Sequence, residues 1–202
     1  MNSTITCDDG KARCAWCAAT PEYIYYHDKE WSYPVADDIR LFEKLSLESF
    51  QSGLSWRTIL AKRENFRKAF HDFDFNRVAQ FTEQDVERLL TDKGIVRHRG
   101  KIEAVINNAK CAQQMVAEEG SLAVFFWRYE ESPSNQVEPQ TVSTTKTSKE
   151  LSKVLKKKGW KFVGPTTVYA FMQAMGLVND HAEGCVFREK VKKARQNFTK
   201  PV

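Results

Sequence analysis

The chain has 202 residues, 42% hydrophobic and 28% charged, a composition that excludes a disordered or low-complexity protein and suits one domain or two small lobes sharing a core. A formal net charge of +5 permits an anionic partner such as nucleic acid without requiring one. No apolar run approaches the roughly 20 residues that cross a bilayer, so no membrane partner is expected.

The N-terminal MNSTITCDDG has no apolar stretch of the secretory kind, and the expected compartment is the cytoplasm. Asp37 and Asp38 can cap a first helix carrying Leu41, Phe42, Leu45 and Glu48 on one side. Ser55 opens a second, with Trp56, Ile59, Leu60, Arg63 and Phe66 sharing a face. Asn76 is the expected cap of a short third helix. Thr82, with Asp85 three residues on, forms a capping box for a fourth that bears Val86, Leu89 and Leu90. After the stretch KGIVRHRGK, the residues Ile102, Val105, Ile106 and Ala109 mark a fifth. Leu122 to Trp127 is apolar but too short to assign. Ser132 to Thr147 reads as a loop, Ser148 to Leu155 and Thr166 to Met175 as helices, and the basic segment from Arg188 as a frayed tail. There is no internal repeat and no convincing β pattern. The predicted class is all-α.

Three constellations carry chemistry. The first lies between Leu90 and Ile102, in TDKGIVRHRGK. Gly94 permits a tight turn, Ile95 and Val96 can plug inward, and Gly100 lets the next helix approach closely. Outward backbone N–H groups at the start of that helix suit a phosphate, and Arg97, His98, Arg99 and Lys101 add positive charge. A helix–hairpin–helix of this kind grips the DNA backbone without reading sequence. An ordinary helical joint with a solvated basic loop fits the residues equally well.

The second is a set of sulfur and imidazole donors. RCAWC and YYHDKEW stand near the N-terminus and NDHAEGC near the C-terminus. His181 and Cys185 are spaced to share one face of a helical turn. Two cysteines and two histidines make a closed, tetrahedral and therefore structural zinc site. Spacing leaves open whether Cys7, Cys14 or Cys17 supplies the N-terminal thiol. A redox role for the CxxC pair is disfavoured by the lack of a βαβ context, and disulfides by the odd set of five cysteines.

The third is an acid among aromatics. Glu48 falls between Leu41 and Leu45 on the apolar side of its helix. Trp16, Tyr23, Tyr26 and Trp56 lie close to it or to the donor set in sequence. An aromatic cluster is usually core. Flat rings beside one carboxylate nevertheless suit a cationic nucleobase, which stacks on the rings and neutralises an acid that is costly to bury alone.

HDKEW, LESFQSGLSW, KRENFRKAF, GIVRHRGKI, KFVGPTTVYAFMQAMGLVNDH and the following Cys185 together resemble the 3-methyladenine DNA glycosylase I family, from about Arg13 to Cys185. The resemblance implies a helix–hairpin–helix glycosylase fold of two helical lobes: approximately 36–128, and 1–35 with 129–190, followed by a basic tail at 191–202. It implies one structural Zn2+ on Cys14, His27, His181 and Cys185, which leaves Cys17 outside the pattern. Glu48 matches the family's base-recognising acid, Tyr26 and Trp56 line the pocket, and Trp16 and Tyr23 lie nearby. Gly94, Arg97, Arg99, Gly100 and Lys101 match the contact to DNA phosphates.

The implied partner is double-stranded DNA carrying alkylated bases, met by a monomer. The implied reaction is monofunctional hydrolytic release of N3-methyladenine after the base is flipped out of the duplex. The chain departs from the family pattern at Ser32, where glycine is expected, at Ser49-Phe50 after Glu48, and at Ala170, where serine is common. Each bears on the pocket floor. Two readings compete with this one: a zinc-stabilised DNA-binding module without catalysis, and a zinc hydrolase with Glu48 as base. The hydrolase needs an open metal position that four protein ligands do not leave.

Overall fold

The structure is a computed structural model and describes residues 3–132 and 137–202. Its centre is α2, Asp38–Gln51, in which every residue from Leu41 to Phe50 is buried. A helix at a protein surface buries only a stripe. This one is enclosed on all sides, by α3 (Trp56–Ala61), α7 (Arg99–Glu119), α8 (Leu122–Trp127) and α10 (Pro165–Ala174). The consequence for function is direct, because every polar residue on α2 is carried into the interior.

The helix starts as expected, with the Asp37 side chain accepting from the Arg40 amide. Asp38 does something the sequence does not announce. Its two oxygens accept from the amides of Leu122 and Ala123, capping α8 from 84 residues away and satisfying donors that would otherwise be orphaned. The short apolar run Leu122–Trp127 is thus a helix, entered through a second cap at Ser121.

Other elements refine the expectations. Ser55 caps α3, but the expected single helix divides at Lys62, and α4 runs Arg63–Ala69. The cap of α5, Phe75–Val78, is Asp74 rather than Asn76, whose amide is the group being capped. The Thr82–Asp85 capping box opens α6, Glu83–Thr91. Of the loop expected over Ser132–Thr147, residues 133–136 lie outside the described residues, and Thr145 already caps α9, Lys146–Lys157.

Two expectations are corrected. The chain is mostly helical but not wholly so: Thr4–Thr6 (β1) and Ala12–Cys14 (β2) pair as an antiparallel hairpin. Its strands are too short to show an alternating pattern. The basic C-terminal segment is not frayed either. It forms α11, Arg188–Gln196, with Val191 fully buried, and Phe198 beyond it packs on Trp127 at 4.5 Å between ring centroids. The positive charges there hid a sparse apolar stripe. Among the described residues no helix is long and apolar enough to cross a membrane.

Candidate functional site

Glu48 sits in the last turns of α2 and is 5% exposed. It is not unpaired, as its register suggested. One carboxylate oxygen, Oε1, lies 2.9 Å from the Lys44 ammonium one helical turn earlier, an i,i+4 pair in the less favourable of its two orientations, with the lysine N-terminal to the acid. The other, Oε2, is buried and has no hydrogen-bond partner. Burial raises the Glu48 pKa above the usual carboxylate range, with Lys44 opposing the shift. Burial likewise pulls Lys44 down, to about 8, against the pull of Glu48.

The lysine is itself boxed in aromatics. Its Nζ is 3.2 Å from the Trp56 ring centroid and 4.8 Å from that of Tyr26, and it donates to the Tyr26 hydroxyl at 2.7 Å. Burial raises the pKa of that phenol. It therefore stays neutral and able to accept.

Beside Glu48 opens a cavity of about 290 Å³ lined by Trp16, Tyr23, Tyr26, Trp31, Trp56, Gln51, Gln173 and Asp180, among others. This is near the lower limit for small-ligand pockets, roughly 300 Å³. The rings form a continuous wall: Trp16 lies 4.9 Å from both Tyr23 and Trp31, and Tyr26 lies 5.4 Å from Trp56, centroid to centroid. The Trp56 indole N–H is also buried without a partner. An orphaned acceptor and an orphaned donor therefore occur among the residues of one pocket, a cost that a bound polar ligand relieves.

The opposite wall was not legible in the sequence. Asp180 accepts from the Gln140 amide at 3.0 Å and the Gln173 side chain at 2.6 Å, and burial raises its pKa. Ala170 lines the cavity too. Ser32, where glycine was expected, has φ 66° and is fully buried, its hydroxyl donating to the Gln173 carbonyl at 2.9 Å. The left-handed backbone is kept, and the serine gains a tie to the residue that positions Asp180. Ser49 bonds to the carbonyls of Leu45 and Phe162. Phe50 packs within the core, its ring tilted against that of Phe66 at 4.6 Å between centroids. Neither residue lines the cavity floor.

The segment between α6 and α7 turns tightly. The Gly94 amide donates to Asp92 at 2.7 Å, and a Cβ at Gly94 would sit 2.9 Å from that carboxylate and 3.0 Å from Asn65. Ile95 is buried as expected. Arg97 is exposed, and His98 caps α7 through Nδ1. Lys101 departs from expectation. Its ammonium is buried and donates to the carbonyls of Phe50 and Ser52, neutralising the C-terminal end of α2. Arg99 is turned toward Glu83 and Glu87.

Cys14, His27 and Cys185 come together as three buried donors, their ligand atoms all within 4.8 Å of one another. Cys17 is buried apart from them. Cys185 Sγ is 3.6 Å from His27 Nε2. A hydrogen bond from the Cys14 thiol, with help from His27, lowers the Cys185 pKa to about 4 and correspondingly raises that of Cys14. His181 packs edge-on to His27 at 4.8 Å between centroids, and its Nε2 is buried without a partner. Both imidazoles have Nδ1 engaged, His27 by Asp28 at 2.8 Å and His181 by Asn179 at 3.1 Å. That turns both Nε2 atoms inward, His27 Nε2 toward the Cys185 sulfur and His181 Nε2 without a partner, the Nδ1-anchored arrangement typical of metal-ligating histidines. Arg13 in turn holds Asp28.

The helical scaffold thus sets an aromatic, carboxylate-bearing pocket beside a clustered thiol–imidazole set. Residues 16–189 match the methyladenine glycosylase family model, and the chain belongs to that family. It is 50% identical over 177 residues to DNA-3-methyladenine glycosylase 1 of Escherichia coli (strain K12), covering 86% of this chain and 95% of the relative. It is 46% identical over 177 residues to the DNA-3-methyladenine glycosylase of Haemophilus influenzae, covering 86% and 96%. A solved structure of 3-methyladenine DNA glycosylase I from Staphylococcus aureus, concerned with 3-methyladenine recognition, superposes with a TM-score of 0.82. That pair is 39% identical, and the match covers 87% of this chain and 96% of that one.

Proposed function

We propose that this chain excises N3-methyladenine from alkylated DNA, and that the pocket beside Glu48 is where the extruded base is read. The observation that carries the assignment of the pocket is the buried, unpartnered Oε2 of Glu48 in an aromatic cavity, in a chain of this family. Tyr26 and Trp56 stack on the base, with Trp16 and Tyr23 completing the wall. Glu48 accepts a hydrogen bond from the exocyclic amine and faces the positive charge of the methylated ring.

That charge already weakens the bond to the sugar. Water adds to C1′, the N-glycosyl bond breaks with its electron pair returning to the ring, and a proton passes to solvent. No covalent lysine intermediate is needed. Extrusion costs a few kcal/mol, least for a damaged base. The hairpin at Gly94, Arg97 and Gly100, with the first turn of α7, holds phosphate beside it as a helix–hairpin–helix. Lys101 supports that hairpin from within. The two-lobe division at about 36–128 and 1–35 with 129–190 is consistent with a pocket drawing Glu48 and Trp56 from one part and Tyr26 and Asp180 from the other.

Cys14, His27, His181 and Cys185 would hold one structural Zn2+. The grouped thiols and the orphaned His181 Nε2 support that donor set. Bound there, the ion would tie the N- and C-terminal segments together and leave no open position for chemistry.

The test is chromatographic: the protein is incubated with alkylated duplex DNA and the released bases are resolved. Free N3-methyladenine, with little or no N7-methylguanine, is expected. A DNA-binding module without catalysis releases neither.

A further inference from the structure

Lys44 does not line the base cavity itself but stands directly behind its Glu48, Tyr26 and Trp56 walls, with a charge of the wrong sign for a pocket that takes a cation. It is 5% exposed, with its ammonium 2.9 Å from Glu48 Oε1 and 3.2 Å from the Trp56 ring centroid. These are the two groups, carboxylate and π face, that a positively charged purine requires. The neighbouring charges are already closed on one another. Arg63 pairs with Glu30 at 2.6 Å, and Arg67 with Glu43 at 2.8 Å. Among the described residues the direct counter-ion of Lys44 is therefore Glu48.

We infer that Lys44 sets the charge preference of the base pocket: it supplies from within the chain the positive charge a cationic base would bring, and so widens the pocket's acceptance toward uncharged alkylated purines. This rests on the reading of Glu48 as the base-recognising acid. A ligand amine on Oε2 shares one carboxyl group with the ammonium on Oε1. A cationic ligand therefore enters near a like charge that is itself buried, so the repulsion is screened less than between two surface charges. A neutral ligand meets only a carboxyl oxygen that is aimed by its lysine. Spacing alone could have raised the question, since Lys44 precedes Glu48 by four residues.

The probes are 3,9-dimethyladeninium, a fixed cation whose N9 methyl stands in for the sugar, and the uncharged free base 3-methyladenine. Affinities of both are measured by tryptophan fluorescence on the full chain at pH 7.5, for wild type, K44M, K44Q, K44R and E48Q. Melting temperatures verify that each variant is folded. Removing the charge in K44M or K44Q should raise the cation-to-neutral affinity ratio by about tenfold, the scale of one like-charge contact at moderate dielectric, whereas K44R, which keeps the charge, should stay near wild type. K44Q retains a hydrogen bond to Glu48 and serves if K44M does not fold. A ratio in the neutral variants within about threefold of wild type, or below it, overturns the inference, because one buried like charge should exceed that. E48Q separates the two failures. If it leaves binding of both probes unchanged, the reading of Glu48 is wrong; if it weakens the cation while K44M and K44Q leave the ratio unmoved, only the role of Lys44 is wrong.

Discussion

At the scale of single residues, the site turns on how Lys44 and Glu48 share one buried environment. Because burial lowers the folded pKa of Lys44 to about 8, the unfolded chain binds more protons than the folded one between about pH 8 and 10.5. Stability from this group therefore rises with pH across that window. Buried tyrosines and thiols pull the other way, so the measurement is a difference. The stability of wild type minus that of K44M should shift in favour of wild type between pH 7.5 and 10, by something on the order of 1–3 kcal/mol. A flat difference in urea unfolding would show that Lys44 is not desolvated in solution. Ser32 offers a second case. Ser32→Ala removes the bond to the Gln173 carbonyl but keeps the left-handed backbone, and should cost about 1–2 kcal/mol. Ser32→Gly loses the same bond yet relieves about 1 kcal/mol of backbone strain, so it should be the milder change in the same denaturation experiment. The serine was visible in the sequence as a departure from glycine, but its hydroxyl partner, 141 residues away, was not.

At the scale of elements, α2 explains why local reading went so far and no further. Its cap, its length and its apolar residues follow from spacing, and so does the position of Glu48. Its burial on every side does not, because Glu43, Lys44, Ser46 and Ser49 look like a solvated face until the surrounding helices are in place. The Asp38 cap on α8 is of the same kind. Asp38→Ala strips both acceptors from the Leu122 and Ala123 amides and should lower unfolding free energy by about 1–3 kcal/mol. A loss under about 0.5 kcal/mol would mean that water substitutes for the carboxylate. The opposite wall of the pocket was illegible for a related reason. Gln140 comes from an aperiodic loop, and Asp180 is recognisable as a wall residue only once Gln140 and Gln173 are seen holding it. The hairpin shows the limit of charge counting. Of its expected phosphate contacts, Lys101 is spent on the end of α2 and the exposed Arg99 on acidic neighbours, which leaves Arg97 as the exposed cation not drawn to a carboxylate among the described residues. Arg97→Ala should therefore weaken DNA binding and flatten its salt dependence by about one phosphate contact, whereas Arg99→Ala should do less.

At the scale of the whole molecule, the donor cluster joins the N- and C-terminal segments: Cys14 ends the second strand of the β-hairpin, and Cys185 lies just before α11. Sequence could name a set of candidates but could not choose among Cys7, Cys14 and Cys17, since ligand identity is decided by where the chain returns. If one zinc ion closes this clasp, a strong chelator should lower the melting temperature by several degrees. Base release at low temperature should be reduced only as far as the folded fraction falls. Unchanged melting after metal is shown to be removed would leave the cluster as packed thiols and imidazoles. The central claim, however, is that the free oxygen of Glu48 reads the base, and single-turnover release of N3-methyladenine from duplex DNA tests it most directly. Glu48→Gln, compared with wild type at saturating enzyme, should slow release by about 10- to 100-fold, the worth of a charged hydrogen bond, with the fold intact. Release by a folded Glu48→Gln variant at the wild-type rate would contradict the account.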